Sequence, residues 1–247
     1  MKILVSPTKT MAFDKTPVGL SLEMGRPGFE PEADTLIREL QTLDFGTLKK
    51  VFKTSEKLTQ KTQDQLRGFN LADPKPALFV FQGEAFKTMN PQKFTLGQLE
   101  YANENLYILS GLYGVLRAKD GIKPYRLDFN TTLSRGLVKH FWQEKILSYF
   151  KNRVPQNELL LNLASAEYSS ILTRSPLGDR IITLQFRERE KGKLKNLSVR
   201  AKQARGLFAG EIIRKKLTDV RDLKNIILSD YEYAKDLSSR TEWFFVR

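Results

Sequence analysis

Short apolar stretches recur from one end of this 247-residue chain to the other, and they constrain its fold more than any other feature. Ala77–Phe81 (ALFVF), Leu106–Leu109 (LYIL) and Leu159–Leu161 (LLL) are unbroken and of strand length. Runs like these read as strands buried on both faces, with helices between them. Lys2–Val5 reads as a first strand, and Glu242–Val246 as a last one. Arg180–Phe186 alternates Ile182, Leu184 and Phe186, the period of a half-buried strand. No linker divides two compositions, and no internal repeat is visible. The expectation is one mixed α/β domain over residues 1–247, with a central mixed sheet flanked by helices.

The segments between the strands carry helical signals. Pro17–Pro31 is rich in proline and glycine and reads as a long early loop. From Glu32, Leu36, Ile37 and Leu40 form an apolar helical stripe. Asp44-Phe45-Gly46 is expected to break that helix, and two further short helices are expected over Thr47–Phe69. The Asp-Phe-Gly triplet has none of the other kinase motifs with it, so it reads as an interhelical turn. Gly111-Leu112-Tyr113-Gly114 has the GXXG spacing of KH domains, but its middle residues are apolar and the match is set aside. His140 lies opposite the stripe Val138, Trp142, Ile146 and Tyr149, and is expected on the surface.

Several chemistries are excluded outright. There is no cysteine, so disulfides, a cysteine nucleophile and thiolate metal sites are impossible. A single histidine leaves little for an imidazole-based metal site, and no metal or cofactor is expected. No apolar run approaches the roughly 18 residues that a membrane helix needs. The N-terminal MKILVSPTKT has no long apolar segment either, so a cytoplasmic location is expected.

The charge is unevenly spread. The chain carries a formal net charge of +13, and Arg174–Lys216 holds thirteen basic against four acidic side chains, which is nine of those thirteen charges. Such an excess speaks to partners rather than fold, and it favours a polyanion. Arg187–Lys195 reads as a charged hairpin around Gly192. In the helix that follows, Ala201, Ala204, Phe208 and Ile212 make a docking stripe. Lys202, Arg205 and Lys216 fall beside it, and Gly206 would let another chain or a ligand come close.

Three stretches can carry chemistry. Ser6-Pro7-Thr8-Lys9-Thr10 follows the first strand, where α/β proteins place ligand groups, although it lacks the glycines of a phosphate loop. Leu109–Asp128 gathers Arg117, Lys123 and Arg126 with Tyr113 and Tyr125. The tyrosines can stack bases while the cations meet phosphates, or they can simply be core. Asn162–Tyr168 (NLASAEY) follows another strand; Ser165 suits a helix N-cap, and Glu167 with Asp128 can serve as acid and base or bind Mg²⁺.

SPTKT, LSGLYGVLR (Leu109–Arg117), PYRLD (Pro124–Asp128), NLASAEY and AKQARG (Ala201–Gly206) together resemble the YaaA family of bacterial peroxide-stress proteins. In that family the motifs usually read SPAKT, LRPLD and PYRLEM. Here Thr8, Ala118-Lys119 and Asp128 depart from them, the last keeping a carboxylate on a shorter arm. The resemblance implies a cytoplasmic protein that limits oxidative DNA damage by keeping free iron low. It also implies DNA binding through a basic cleft and a helix-hairpin-helix element, which would fall within Glu32–Phe69. Lys9, Arg117, Arg126, Lys202 and Arg205 would line the cleft.

Two function classes follow. The first is a DNA-binding peroxide-stress protein, its phosphate contacts including Lys123. The alternative is an enzyme acting on a nucleotide or nucleic acid in the same cleft, with Glu167, Asp128 and Ser165 as its candidate catalytic residues.

Overall fold

The computed structural model describes residues 1–14 and 23–247. The strands are β1 (Lys2–Val5), β2 (Lys75–Pro76), β3 (Leu106–Ser110), β4 (Gly114–Arg117), β5 (Gly121–Ile122), β6 (Thr132–Leu133), β7 (Gly136–Leu137), β8 (Leu160–Asn162), β9 (Ile181–Glu190), β10 (Lys193–Lys195), β11 (Glu232–Tyr233) and β12 (Glu242–Val246). The helices are α1 (Glu30–Gln41), α2 (Phe45–Phe52), α3 (Glu56–Arg67), α4 (Ala77–Val80), α5 (Glu84–Met89), α6 (Leu96–Asn105), α7 (Val138–Arg153), α8 (Ala166–Thr173) and α9 (Ser198–Lys215).

The fold is mixed α/β around a central eight-stranded sheet, in the order β11-β12-β9-β8-β1-β3-β4 with β10 paired to β9. The middle of the sheet is parallel: β1 pairs with β3 through Leu4 and Tyr107, and with β8 through Ile3 and Leu161. Its margins are antiparallel, β4 against β3 and β11 against β12. Every residue of β3 and β8 is buried, as a parallel strand covered on both faces requires. Helix α6 packs on β3 and β4 and against α9, which lies on β9; α7 packs on β4 and against α8, which lies on β3. The buried apolar residues of all these elements form one cluster.

Local chemistry sets the boundaries. Asp44 is the N-cap of α2, its carboxylate accepting from the Thr47 backbone N–H at 2.7 Å. The Asp-Phe-Gly triplet thus opens α2 instead of forming the turn expected of it. Thr95 and Gln98 form a reciprocal capping box at the start of α6. Gly111 and Gly114 sit in the β3–β4 turn, where Gly114 takes a φ of 66°. A side chain at Gly111 would strike the Leu127 carbonyl, which fixes the Pro124–Asp128 segment against this turn. Gly192 takes a φ of 75° at the tip of the β9–β10 hairpin, the charged hairpin that the sequence suggests.

Two expectations need correction. Ala77–Phe81 is no strand: Ala77–Val80 is one helical turn, fully buried, and Phe81 makes only an isolated bridge to Met11. A short apolar run states burial, not period, so helix and strand look alike. The room at Gly206 is taken by this chain itself, since a Cβ there would lie 1.9 Å from the Ala85 carbonyl of α5. Gly206, Ala209, Gly210 and Ile213 form a second buried face of α9, besides the stripe of Ala201, Ala204, Phe208 and Ile212. The early loop Pro17–Pro31 lies partly outside the described residues; within the described part, Gly25 bridges to Asp120.

Candidate functional site

The chain leaves the carboxyl end of β1 toward β3 on one side, and leaves β8 through α8 toward β9 on the other. Adjacent parallel strands whose connections part in this way open a crevice at their carboxyl ends, the usual ligand position in such sheets. A cavity of about 800 Å³ lies there. Its lining combines the loop after β1, the start of α5, Asp128, the start of α8, and Lys202 and Arg205 of α9.

Backbone contacts hold these pieces together. Ala12 N–H donates to the Val80 carbonyl at 2.9 Å, and Gln82 N–H donates to the Thr10 carbonyl at 3.0 Å. A Cβ on Gly83 would lie 2.5 Å from the Thr8 methyl, so the loop after β1 rests directly on the start of α5. Across the crevice, Ser165 N–H donates to Ser6 Oγ at 2.8 Å and the two hydroxyls lie 3.2 Å apart. Ser165 occupies the N-cap position of α8, yet its side chain makes no capping bond. It faces the cavity with Ser6 instead.

Asp128 is the hub of the acidic side. It pairs with Lys9, Nζ to Oδ2 at 2.8 Å, and Oδ1 accepts from the Tyr168 hydroxyl at 2.9 Å. Burial and the charge of Asp128 push the Tyr168 hydroxyl well above its ordinary range. Glu167, half-buried in the first turn of α8, is also raised, chiefly by burial and then by Asp128. The Asn130 backbone N–H and Lys9 offset part of that shift. A carboxyl whose pKa is raised by burial, beside a second carboxylate in an ion pair, is an arrangement suited to acid–base work.

The basic side is made by α9 and α5. Gln203 Nε2 donates to Glu84 at 2.8 Å, and Glu84 also pairs with Lys87 at 3.3 Å. Lys202 and Arg205 have no ion-pair partner among the described residues, although Lys202 stands close enough to Glu84 to lower its pKa. Arg205 Nε is buried with no acceptor among the described residues. Burial, then the charge of Arg187, shift Arg205 downward, so the guanidinium is desolvated and repelled without a counter-ion.

The sequence candidates therefore divide. Lys9, Asp128, Ser165, Glu167, Lys202 and Arg205 share one cavity. Arg117 does not: its Nε donates to the Asn103 carbonyl, its guanidinium lies 5.2 Å from the Tyr107 ring, and it lines a separate hollow with Arg153. Lys123 borders a third hollow, its Nζ 3.2 Å from the Asn70 carbonyl. Arg126 is half-buried, two residues from Asp128, outside the residues that line the cavity. Tyr113 and Tyr125 are each 4 % exposed, and their rings meet edge to face at 5.5 Å. The Tyr125 hydroxyl lies 2.8 Å from Ser110 Oγ, and the Tyr113 hydroxyl accepts from Lys123 N–H at 3.1 Å. They are core residues with no open face for a base. Lys216 caps the far end of α9, against Gly97. His140 is exposed.

Residues that the sequence reading missed are Ser6 as a partner of Ser165, Tyr168, and the Glu84–Lys87–Gln203 group. Ser6, Tyr168 and Gln203 lie within SPTKT, NLASAEY and AKQARG, whereas Glu84 and Lys87 have only position as a signal, Gly83-Glu84 following a buried apolar run as Ser6 and Ser165 do.

The family model described as peroxide stress protein YaaA matches residues 1–237. A UPF0246 protein of Desulforapulum autotrophicum is 40% identical over 254 residues, covering 100% of this chain and 99% of the relative. UPF0246 proteins of Crocosphaera subtropica and Rickettsia felis are 33% and 32% identical, each alignment covering 100% of both chains. With the match running through the crevice between β1 and β8 and on to α9, the chain belongs to the peroxide stress protein YaaA family.

Proposed function

We propose that this member of a peroxide-stress family acts in the cytoplasm by binding DNA across the mouth of the crevice, and so protects it from oxidative damage. The observation that carries the reading is the pair Lys202 and Arg205, cations of α9 without ion-pair partners among the described residues, beside a cavity at the strand ends. Exposed lysines on α2 and α3 and the turn between them (Lys50, Lys53, Lys57 and Lys61) offer a second contact surface, where the helix-hairpin-helix reading falls. Phosphate contacts of this kind give affinity with little sequence preference and a steep salt dependence. Limiting free iron is then an indirect consequence, since Asp128 is already committed to Lys9 and Tyr168. Titration of duplex, bubble and junction DNA at two salt concentrations tests the reading. Absence of binding at low salt would remove it.

A second reading, an enzyme acting on a nucleotide or nucleic acid, is favoured by the Lys9–Asp128–Tyr168 chain and the raised carboxyl of Glu167 in one cavity. Glu167→Gln should then abolish turnover while DNA binding persists. Turnover that survives the substitution removes Glu167 from the chemistry.

A further inference from the structure

The cavity is too small for a double helix and too elaborate for phosphate alone. At about 800 Å³ it falls within the roughly 300–1,000 Å³ typical of sites that enclose one small ligand. Its charged groups form two mixed clusters, Glu84 standing with Lys87 and Lys202 on one side and Lys9 with Asp128 on the other. Lys202 and Arg205 stand on α9, whereas Asp128 and Glu167 approach from the β5–β6 connection and α8. Val5, Pro7, Ala12 and Leu163 add apolar surface at the strand ends.

Arg205 sets the chemistry of the basic side. Its Nε is buried without an acceptor among the described residues, and Arg187 adds like charge nearby. A buried donor left unpaired costs its full desolvation, and an anion with several acceptor oxygens removes that cost. The acidic side asks for the opposite chemistry. Glu167, and the lone pairs of Asp128 left beside its bonds to Lys9 and Tyr168, can accept from hydroxyl and amino donors, which a sugar and a base provide.

We propose that the cavity receives a single nucleoside monophosphate unit, with the phosphate on Arg205 and Lys202 and the sugar and base toward Asp128, Glu167 and the apolar strand ends. The inference rests on reading the crevice as an anion site. It adds that a nucleotide of a bound strand must leave its stack to reach the cavity, as in enzymes that extrude a base. A free nucleoside monophosphate presents the same chemistry.

The test is calorimetric titration of the full chain with deoxyadenosine monophosphate, deoxyadenosine and inorganic phosphate, each up to about 10 mM. The monophosphate should bind at least tenfold more tightly than either fragment. Arg205→Gln should weaken it at least tenfold, and so, by a smaller factor, should Lys202→Gln, whose exposed site carries no folding risk. In a second arm, 2-aminopurine placed inside a bubble should brighten on binding, and the monophosphate should reverse the signal. No binding of the monophosphate overturns the proposal even if DNA binds with a steep salt dependence, which would leave the DNA reading intact. Equal binding of phosphate and monophosphate also overturns it. Monophosphate binding without any DNA binding upholds the proposal as a free-nucleotide site and removes the DNA reading.

Discussion

Lys9 Nζ and Asp128 Oδ2 lie 2.8 Å apart across the crevice, tying the loop after β1 to the segment after β5. The Lys9 side chain is 59% exposed, so the pair is worth at most about 1 kcal/mol of stability. Its larger effect is on charge, because Asp128 neutralises a cation beside the cavity. Asp128→Asn raises the net charge from +13 by one and releases Lys9. Under the DNA reading, affinity at low salt should rise a few-fold with little change in melting temperature. Fluorescence anisotropy checks this. Weaker binding would show that the intact pair, not Lys9 alone, makes the contact.

Gly206→Ala should be severely destabilising. A methyl there would sit 1.9 Å from the Ala85 carbonyl and 2.3 Å from Thr88 Oγ1. Alanine gains about 1 kcal/mol in helix propensity over glycine. Overpacking of a rigid contact costs about 1–3 kcal/mol or more, and here the obstacle is backbone, so the loss wins. With the cost at the upper end of that range, chemical denaturation should show a net loss of about 2 kcal/mol. Because α5 also carries Glu84 and Lys87, nucleic-acid or nucleotide affinity should fall with it.

The legible and illegible parts of this chain differ in physical kind. β3, β8, β9 and β12 could be placed from sequence because their apolar content follows from the sheet itself. Ala77–Val80 misleads because a buried single turn has the same composition as a buried strand. One face of α9 is visible in the sequence; the other is built from Gly206 and Gly210, small residues that look unremarkable until α5 is seen against them. Lys9, Asp128, Ser165, Glu167, Lys202 and Arg205 were each visible as candidates. Their meeting depends on strand order, which no single segment encodes. Arg117 and Lys123 look equivalent to Arg205 in sequence, yet the turn after β3 carries them to other faces.

Asp120 gives a pH signature independent of the crevice. It is buried, and burial pushes its carboxyl up to about 6, with the Arg117 backbone N–H and charge opposing. The folded state therefore binds a proton more tightly than the unfolded chain. The stability contribution is complete below pH 4 and is lost as pH rises through about 6. A rise from 3.8 to about 6 corresponds to about 3 kcal/mol. Asp120→Asn keeps an acceptor for the Arg117 N–H, which Asp120 now binds at 2.8 Å. It should raise stability at pH 7 by about 1–3 kcal/mol and leave it nearly unchanged at pH 4. Urea unfolding at the two pH values measures both.

Tyr113, Tyr125 and Tyr168 should resist ionisation until the chain unfolds. Burial raises all three, and Tyr125 is further raised by Tyr113 and Asp128. A raised folded value means that stability is complete below the unfolded value of about 10 and declines above it. Absorbance at alkaline pH should show these hydroxyls titrating only together with loss of structure. Tyr125→Phe should cost about 1 kcal/mol at neutral pH through the lost bond to Ser110. It should also delay the alkaline transition. Free titration of Tyr125 in the folded chain would mean that its ring is open after all.

Lys202 offers the sharpest separation of electrostatic from structural effects in the crevice. It is exposed, so Lys202→Gln should leave the melting temperature unchanged. If it meets a phosphate, the slope of log affinity against log salt should fall by about one, uniformly across DNA sequences. Glu84 tempers this, because Lys202 already lowers its pKa and would have to share its charge with a ligand. The double variant Glu84→Gln, Lys202→Gln resolves the point. Recovery of affinity over the single variant would show that Glu84 repels the anion and Lys202 neutralises it. An unchanged slope in Lys202→Gln would place the phosphate elsewhere on this face.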